Sequence, residues 1–149
     1  SFAGVTLFML IIRKIMLARY AKGKMSGEQF IEFTAGLVLR QMRKEGRKCS
    51  FTIDGLRAID AEIDSLLAKN KPADIVSDTD TVVKFGCFLG TVLKYAAGAR
   101  WVKDEGPYPR FMKLKNGEMI LPFERVMKRI LAGKEDCIYD YAYVLKKTK

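Results

Sequence analysis

The chain of 149 residues contains no histidine, so acid–base or nucleophilic chemistry would fall to carboxylates, lysines, tyrosines or thiols. Ser-His-Asp and Cys-His catalysis and His-ligated zinc are excluded together, because each needs an imidazole. Two carboxylate pairs have suggestive spacing. Asp60 and Asp64 lie four apart near Arg57, and Asp78 and Asp80 form a D-x-D of the kind that can hold a hard cation. A solvated helix face with a local ion pair accounts for the first pair, and capping of a helix start accounts for the second. Cys49 follows Arg47 and Lys48, and neighbouring cations lower a thiol pKa, but a cysteine nucleophile also needs a base and an oxyanion site. Cys87 falls in an apolar stretch and Cys137 near the C-terminus. An odd number of well-separated cysteines without a C-x-x-C pair argues against a disulfide scaffold or a zinc ribbon. These residues assign no catalytic group, no cofactor and no metal, which points away from an enzyme.

Charge is the stronger signal. The chain holds 27 Lys and Arg against 17 Asp and Glu, a net charge of +10, and it is unevenly spread. Residues 1–49 and 81–149 are strongly basic and residues 50–80 are acidic. Arg40, Arg43, Lys44 and Arg47 recur at spacings of three and four, which in a helix makes one cationic stripe opposite Ile31, Ala35, Val38 and Met42. Arg125, Lys128 and Arg129 form a second stripe, opposite Phe123, Val126, Met127, Ile130 and Leu131. Trp101 is the sole tryptophan; it reads as a plug between helix and sheet or as an aromatic platform for a partner. The two stripes could neutralise phosphates, although the motifs of the common nucleic-acid-binding modules are missing. Gly86 and Gly90 place two bare positions on one helix face, where another backbone can approach, without the strand and further glycine of a dinucleotide site.

The elements that would carry these residues follow from periodicity and punctuation. A first helix is expected over about 6–21. A second starts at Ser26, with Gln29 completing a capping box, and stops at Gly46. Ile53, Leu56, Ile59, Ile63, Leu66 and Leu67 mark a third helix, with Asp60, Glu62 and Asp64 on its other faces, ended by Lys71-Pro72. Ser77 or Asp78 caps a long apolar helix that stops at Gly98. The period then becomes that of strands, over about 100–103, 110–115 and 118–121. Asn116-Gly117 should form a type I′ turn with positive φ at both residues. Pro122 opens an amphipathic helix closed by Gly133. Residues 137–147 read as a last helix, with a fourth strand as the competing reading because Tyr139, Tyr141 and Tyr143 alternate. The fold class expected is α+β, with helices packed on a small antiparallel meander in one domain spanning 1–149. Residues 1–75 should be mainly helical, with the apolar helix, meander, amphipathic helix and terminal segment in 76–149.

Residues 2–12 carry no charge and are followed by Arg13 and Lys14. Eleven residues are too few to span a bilayer, and the charges lie on the wrong side for a signal peptide. A buried N-terminal helix is the preferred reading, with peripheral membrane attachment through residues 2–24 as the alternative. The expected location is the cytoplasm, or a membrane surface if that alternative holds.

From Phe85 to the end of the sequence the chain carries a further pattern: Gly86-x-x-Leu89-Gly90-x-x-Leu93, then Gly98-x-x-Trp101-Val102, an Asn116-Gly117 hairpin, Leu121-Pro122-Phe123-x-x-Val126-x-x-Arg129 and Gly133. This resembles a group of uncharacterised bacterial proteins in which a helix like L-G-x-x-L-G precedes a G-x-x-W strand, a hairpin and a P-F-x-x-V helix. The resemblance covers only the C-terminal half. It implies a small α+β domain and a bacterial source, and no activity. The function expected is a non-enzymatic interaction protein that binds an acidic protein through Arg40, Arg43, Lys44, Arg47, Arg125, Lys128, Arg129 and Trp101. Nucleic-acid binding, a toxin-immunity or accessory role, and peripheral membrane association are the alternatives.

Overall fold

A computed structural model describes residues 14–15, 18–19, 22–23, 25–106 and 108–147. The helix expected over 6–21 lies largely outside these residues. The same holds for the apolar run 2–12 and for the reading of it as buried or membrane-proximal. Six α-helices and one three-stranded sheet build the described part: α1 (Gly27–Lys44), α2 (Leu56–Lys69), α3 (Pro72–Ser77), α4 (Thr79–Ala97), β1 (Arg100–Val102), β2 (Phe111–Lys113), β3 (Met119–Ile120), α5 (Pro122–Ala132) and α6 (Ile138–Lys147), with a single 3-10 turn at Lys134–Asp136. This is the α+β fold expected.

The centre of the molecule is α4. Its residues 85–93 are buried without a break, as a helix that is apolar all round must be. It packs against α1, α5, α6 and β1. Asp78 caps its start by accepting a hydrogen bond from the Asp80 N–H at 3.1 Å. Gly98 ends it at φ +67°, a conformation glycine adopts without steric cost. In α1 the capping box is complete: the Gln29 N–H donates to Ser26 Oγ at 3.1 Å, and the Ser26 N–H donates to Gln29 Oε1 at 2.9 Å.

The sheet is an antiparallel meander in the order β1-β2-β3, with Trp101 opposite Met112 and Met112 opposite Ile120. These three side chains are buried and form the sheet's inner face. Lys71-Pro72 ends α2 as expected, and Pro72 then starts the short α3, which was not expected, at a position where its missing N–H costs nothing. Two local expectations need correction. The Asn116-Gly117 turn is not type I′, since Asn116 is not among the residues with positive φ. A three-residue loop takes its place, in which the Leu114 N–H donates to the Glu118 carbonyl, the Gly117 N–H donates to the Leu114 carbonyl, and Gly117 alone sits at φ +88°. Finally, Gly86 and Gly90 admit aromatic rings and not a backbone: the Phe123 ring fills the space over Gly86 and the Trp101 ring the space over Gly90. Trp101 and Phe123 then stack with centroids 5.8 Å apart.

The terminal segment is helical. Tyr139 and Tyr143 stack on each other one turn apart, at 6.0 Å, while Tyr141 lies under the Arg125 guanidinium at 4.3 Å.

Candidate functional site

Polar residues concentrate at two places, one inside the fold and one on its surface. The interior one is built on Asp60. In α2, Leu56, Ile59 and Ile63 face the core, and at about 100° per residue Asp60 falls at the border of their stripe, about 40° beyond Leu56. Its carboxylate is therefore buried and must be fully engaged. Arg129 Nε donates to Asp60 Oδ1 at 2.9 Å, and Arg129 Nη2 donates to Asp64 Oδ1 at 2.8 Å. The N–H groups of Ile138 and Tyr139, the first two of α6, donate to the two Asp60 oxygens at 3.0 and 2.9 Å. Cys137 Sγ donates to Asp60 Oδ2 at 3.2 Å. One carboxylate thus binds a cation from α5 and caps α6, at the end where the helix dipole favours negative charge. Burial pulls the Arg129 pKa down, but the hydrogen bonds and charges of Asp64 and Asp60 outweigh it and raise it overall.

The assignment of Arg129 to an exposed stripe is therefore corrected: its side chain is 1% exposed, because it borders the Val126 and Ile130 face of α5. Asp60 likewise belongs to the apolar face of α2 and not to its solvated side. Arg57 pairs with Asp54 at 3.1 Å and lies 3.8 Å over the Tyr139 ring, away from Asp60 and Asp64.

The rest of the second stripe is also largely engaged. Arg125 Nη2 reaches Asp136 at 3.4 Å, and Lys128 Nζ lies 3.6 Å from the same carboxylate. Trp101 is 8% exposed and fills the helix–sheet interface, so the plug reading describes its position.

The first stripe is different. Arg47 pairs with Glu62 at 3.1 Å and lies 3.9 Å from Glu45. Arg43 donates from Nε to the Cys49 carbonyl at 3.0 Å but remains exposed. Arg40 and Lys44 are exposed and make no ion pair among the described residues. With Gly36 and half-buried Leu39 they line an open groove of about 420 Å³ along α1. Arg40, Arg43 and Lys44 thus share one face of α1, and Arg47 is set apart from them by its own acidic neighbours.

The surroundings of Cys49 and Cys137 disfavour the thiolate. Burial, against the opposing effect of Arg43, raises the Cys49 pKa, reversing the direction expected from Arg47 and Lys48. Burial, with the Asp60 hydrogen bond, raises that of Cys137. Among the described residues no group of three His, Cys, Asp or Glu could hold a metal, and no helix is long and apolar enough to cross a membrane. A separate cleft of about 500 Å³ between α4, α5 and β2 is walled by Val83, Phe111, Leu121, Phe123 and Met127. At its polar edge Arg110 pairs with Asp104 at 3.1 Å.

No protein-family model, curated protein or solved structure matches the chain. The motifs in residues 85–133 are accounted for by packing: the two glycines, Trp101 and Phe123 form one interlocked set. Function has to be read from the surface that packing leaves unexplained.

Proposed function

We propose that the protein is a binding protein that engages an acidic protein partner through the C-terminal half of α1. The observation that carries this reading is the contrast between the two basic stripes. Arg125, Lys128 and Arg129 all lie within ion-pairing distance of carboxylates of the same chain, whereas Arg40 and Lys44 face solvent without such a neighbour among the described residues and Arg43 is exposed beside them. Cations grouped on one face steer and orient an oppositely charged partner. Nucleic acid is the less favoured partner, because affinity for it grows with the number of phosphates neutralised and the face offers a compact group of three cations beside apolar Leu39.

The test compares the wild type with the Arg40→Ala, Arg43→Ala, Lys44→Ala triple variant. Each tagged full-length protein is exposed to lysate of its own host, once untreated and once digested with nuclease. An acidic polypeptide should be retained by the wild type, released by added salt and lost from the variant. Equal retention by both proteins would overturn the reading. Retention that disappears on nuclease digestion would replace it with nucleic-acid binding.

A further inference from the structure

Glycine inside a helix is destabilising by roughly 0.5–1 kcal/mol relative to alanine, so each helical glycine calls for a reason. Most of the described glycines have one inside the fold. Gly23, Gly46, Gly98, Gly117 and Gly133 adopt positive φ. A Cβ on Gly27, Gly55, Gly86 or Gly90 would collide with Pro109, the Ser50 backbone, Phe123 or Trp101 respectively, and at Gly106 it would crowd the Asp104 carboxylate at 3.1 Å. Gly36 has neither reason. It lies in the middle of α1 with negative φ, and the space a Cβ would occupy is open among the described residues.

The neighbours of Gly36 on that face are half-buried Glu32 four residues before it, whose charge is held by Lys94 at 2.6 Å, half-buried Phe33 three residues before it, half-buried Leu39 three residues after it and exposed Arg40 four residues after it. Arg43 and Lys44 follow one turn further on. The helix dipole explains cations in the last turn of α1. It does not explain a bare position flanked by two apolar side chains.

We infer that Gly36 is the crossing point for a helix of the acidic partner, which lays an apolar stripe on Phe33 and Leu39 and carboxylates on Arg40, Arg43 and Lys44. This rests on the proposed function and adds the mode of docking. A missing side chain lets two helix backbones come closer than the usual spacing of about 8–10 Å, and the partner therefore carries Ala, Ser or Gly at its own crossing position. A second copy of α1 is a poor occupant: crossing in parallel, its three cations would face these three, and crossing antiparallel it would offer them only Glu28 and Glu32, which Lys94 already engages.

The experiment has two arms on the full chain. In the first, Gly36→Ala is melted without any partner. Alanine should raise Tm by about 2 °C if the space is open, from the helix propensity gain and the usual scaling for a chain of this size. A fall in Tm would show that the space is filled from within the chain and would overturn the inference.

In the second arm, a labelled synthetic helix of about five turns, with Leu and Ala along one stripe and Glu on the positions flanking that stripe, is titrated by fluorescence anisotropy. A scrambled peptide of the same composition is titrated alongside it. Wild type should bind the helix at least ten times more tightly than the scrambled peptide. Gly36→Leu should remove that preference while keeping its helical circular dichroism. Arg40→Ala with Lys44→Ala should weaken both peptides. Failure of the wild type to prefer the helix, or an unchanged preference in Gly36→Leu, would overturn the docking mode. In that case, loss of binding in the charge variant alone would leave the electrostatic reading of the face standing.

Discussion

Replacing Asp60 with alanine tests the interior network most directly. The substitution leaves Arg129, 1% exposed, without its Nε partner. It also strands the first two N–H groups of α6 and the Cys137 thiol. Removing one member of a buried pair costs about 3–5 kcal/mol, because the other charge stays behind unpaired. Asp64 still holds Nη2 at 2.8 Å and limits the loss. At about 2–4 °C per kcal/mol for a chain of this size, Tm should fall by about 6–20 °C. Arg129→Met should be milder, since Asp60 then keeps both α6 N–H donors, and the double variant should be less destabilised than the sum of the two. Urea titrations followed by circular dichroism and by the emission of Trp101, the sole tryptophan, give the four free energies of the cycle. A loss under about 1 kcal/mol for Asp60→Ala, or singles that add within about 0.5 kcal/mol, would refute the view that one carboxylate holds α2, α5 and α6 together.

Two further outcomes follow from the same packing. Gly90→Ala should destabilise by about 1–3 kcal/mol, since its Cβ would meet the six-membered ring of Trp101; thermal melts with the Trp101 emission maximum as a second reading would show both the loss and the displaced ring. Cys49 and Cys137, with raised pKa values, should be alkylated by iodoacetamide at pH 8 far more slowly than a free cysteine, and mass spectrometry of the intact chain would show one or both reacting at once if the thiols are in fact activated.

Much of the architecture was legible because it is local. Ser26 with Gln29, Gly46, Asp78, Gly98, Pro122 and Gly133 each mark an element boundary through the hydrogen bonds or backbone angle of one turn, and all six stand where such marks should. The turn at Asn116 was misread because Asn-Gly suits more than one hairpin loop, and strand register decides between them. The Asp60 network spans 69 residues to Arg129 and 78 to Ile138, and no window of sequence contains it. A signal existed nonetheless. Asp60 sits among Leu56, Ile59 and Ile63, and Arg129 is three residues from Val126 and one from Ile130. A charge on an apolar face in each of two helices is the mark of a buried pair, and it separates Arg129 from the exposed Arg40 and Lys44. The second stripe was overcounted because helical spacing cannot reveal Asp136, which lies beyond the end of α5.

The Asp60 network also constrains the order of events as the chain is made. Asp60 is synthesised 78 residues before the Ile138 amide it caps, and domains begin folding from the N-terminus during synthesis. Until α5 and α6 arrive, a lone carboxylate stands beside the apolar stripe of α2 and must stay hydrated, and α6, the helix against which α2 packs, is itself still missing. The final burial of α2 therefore waits for the last helix, and a chain truncated before Ile138 would leave the ribosome with its core open around Asp60.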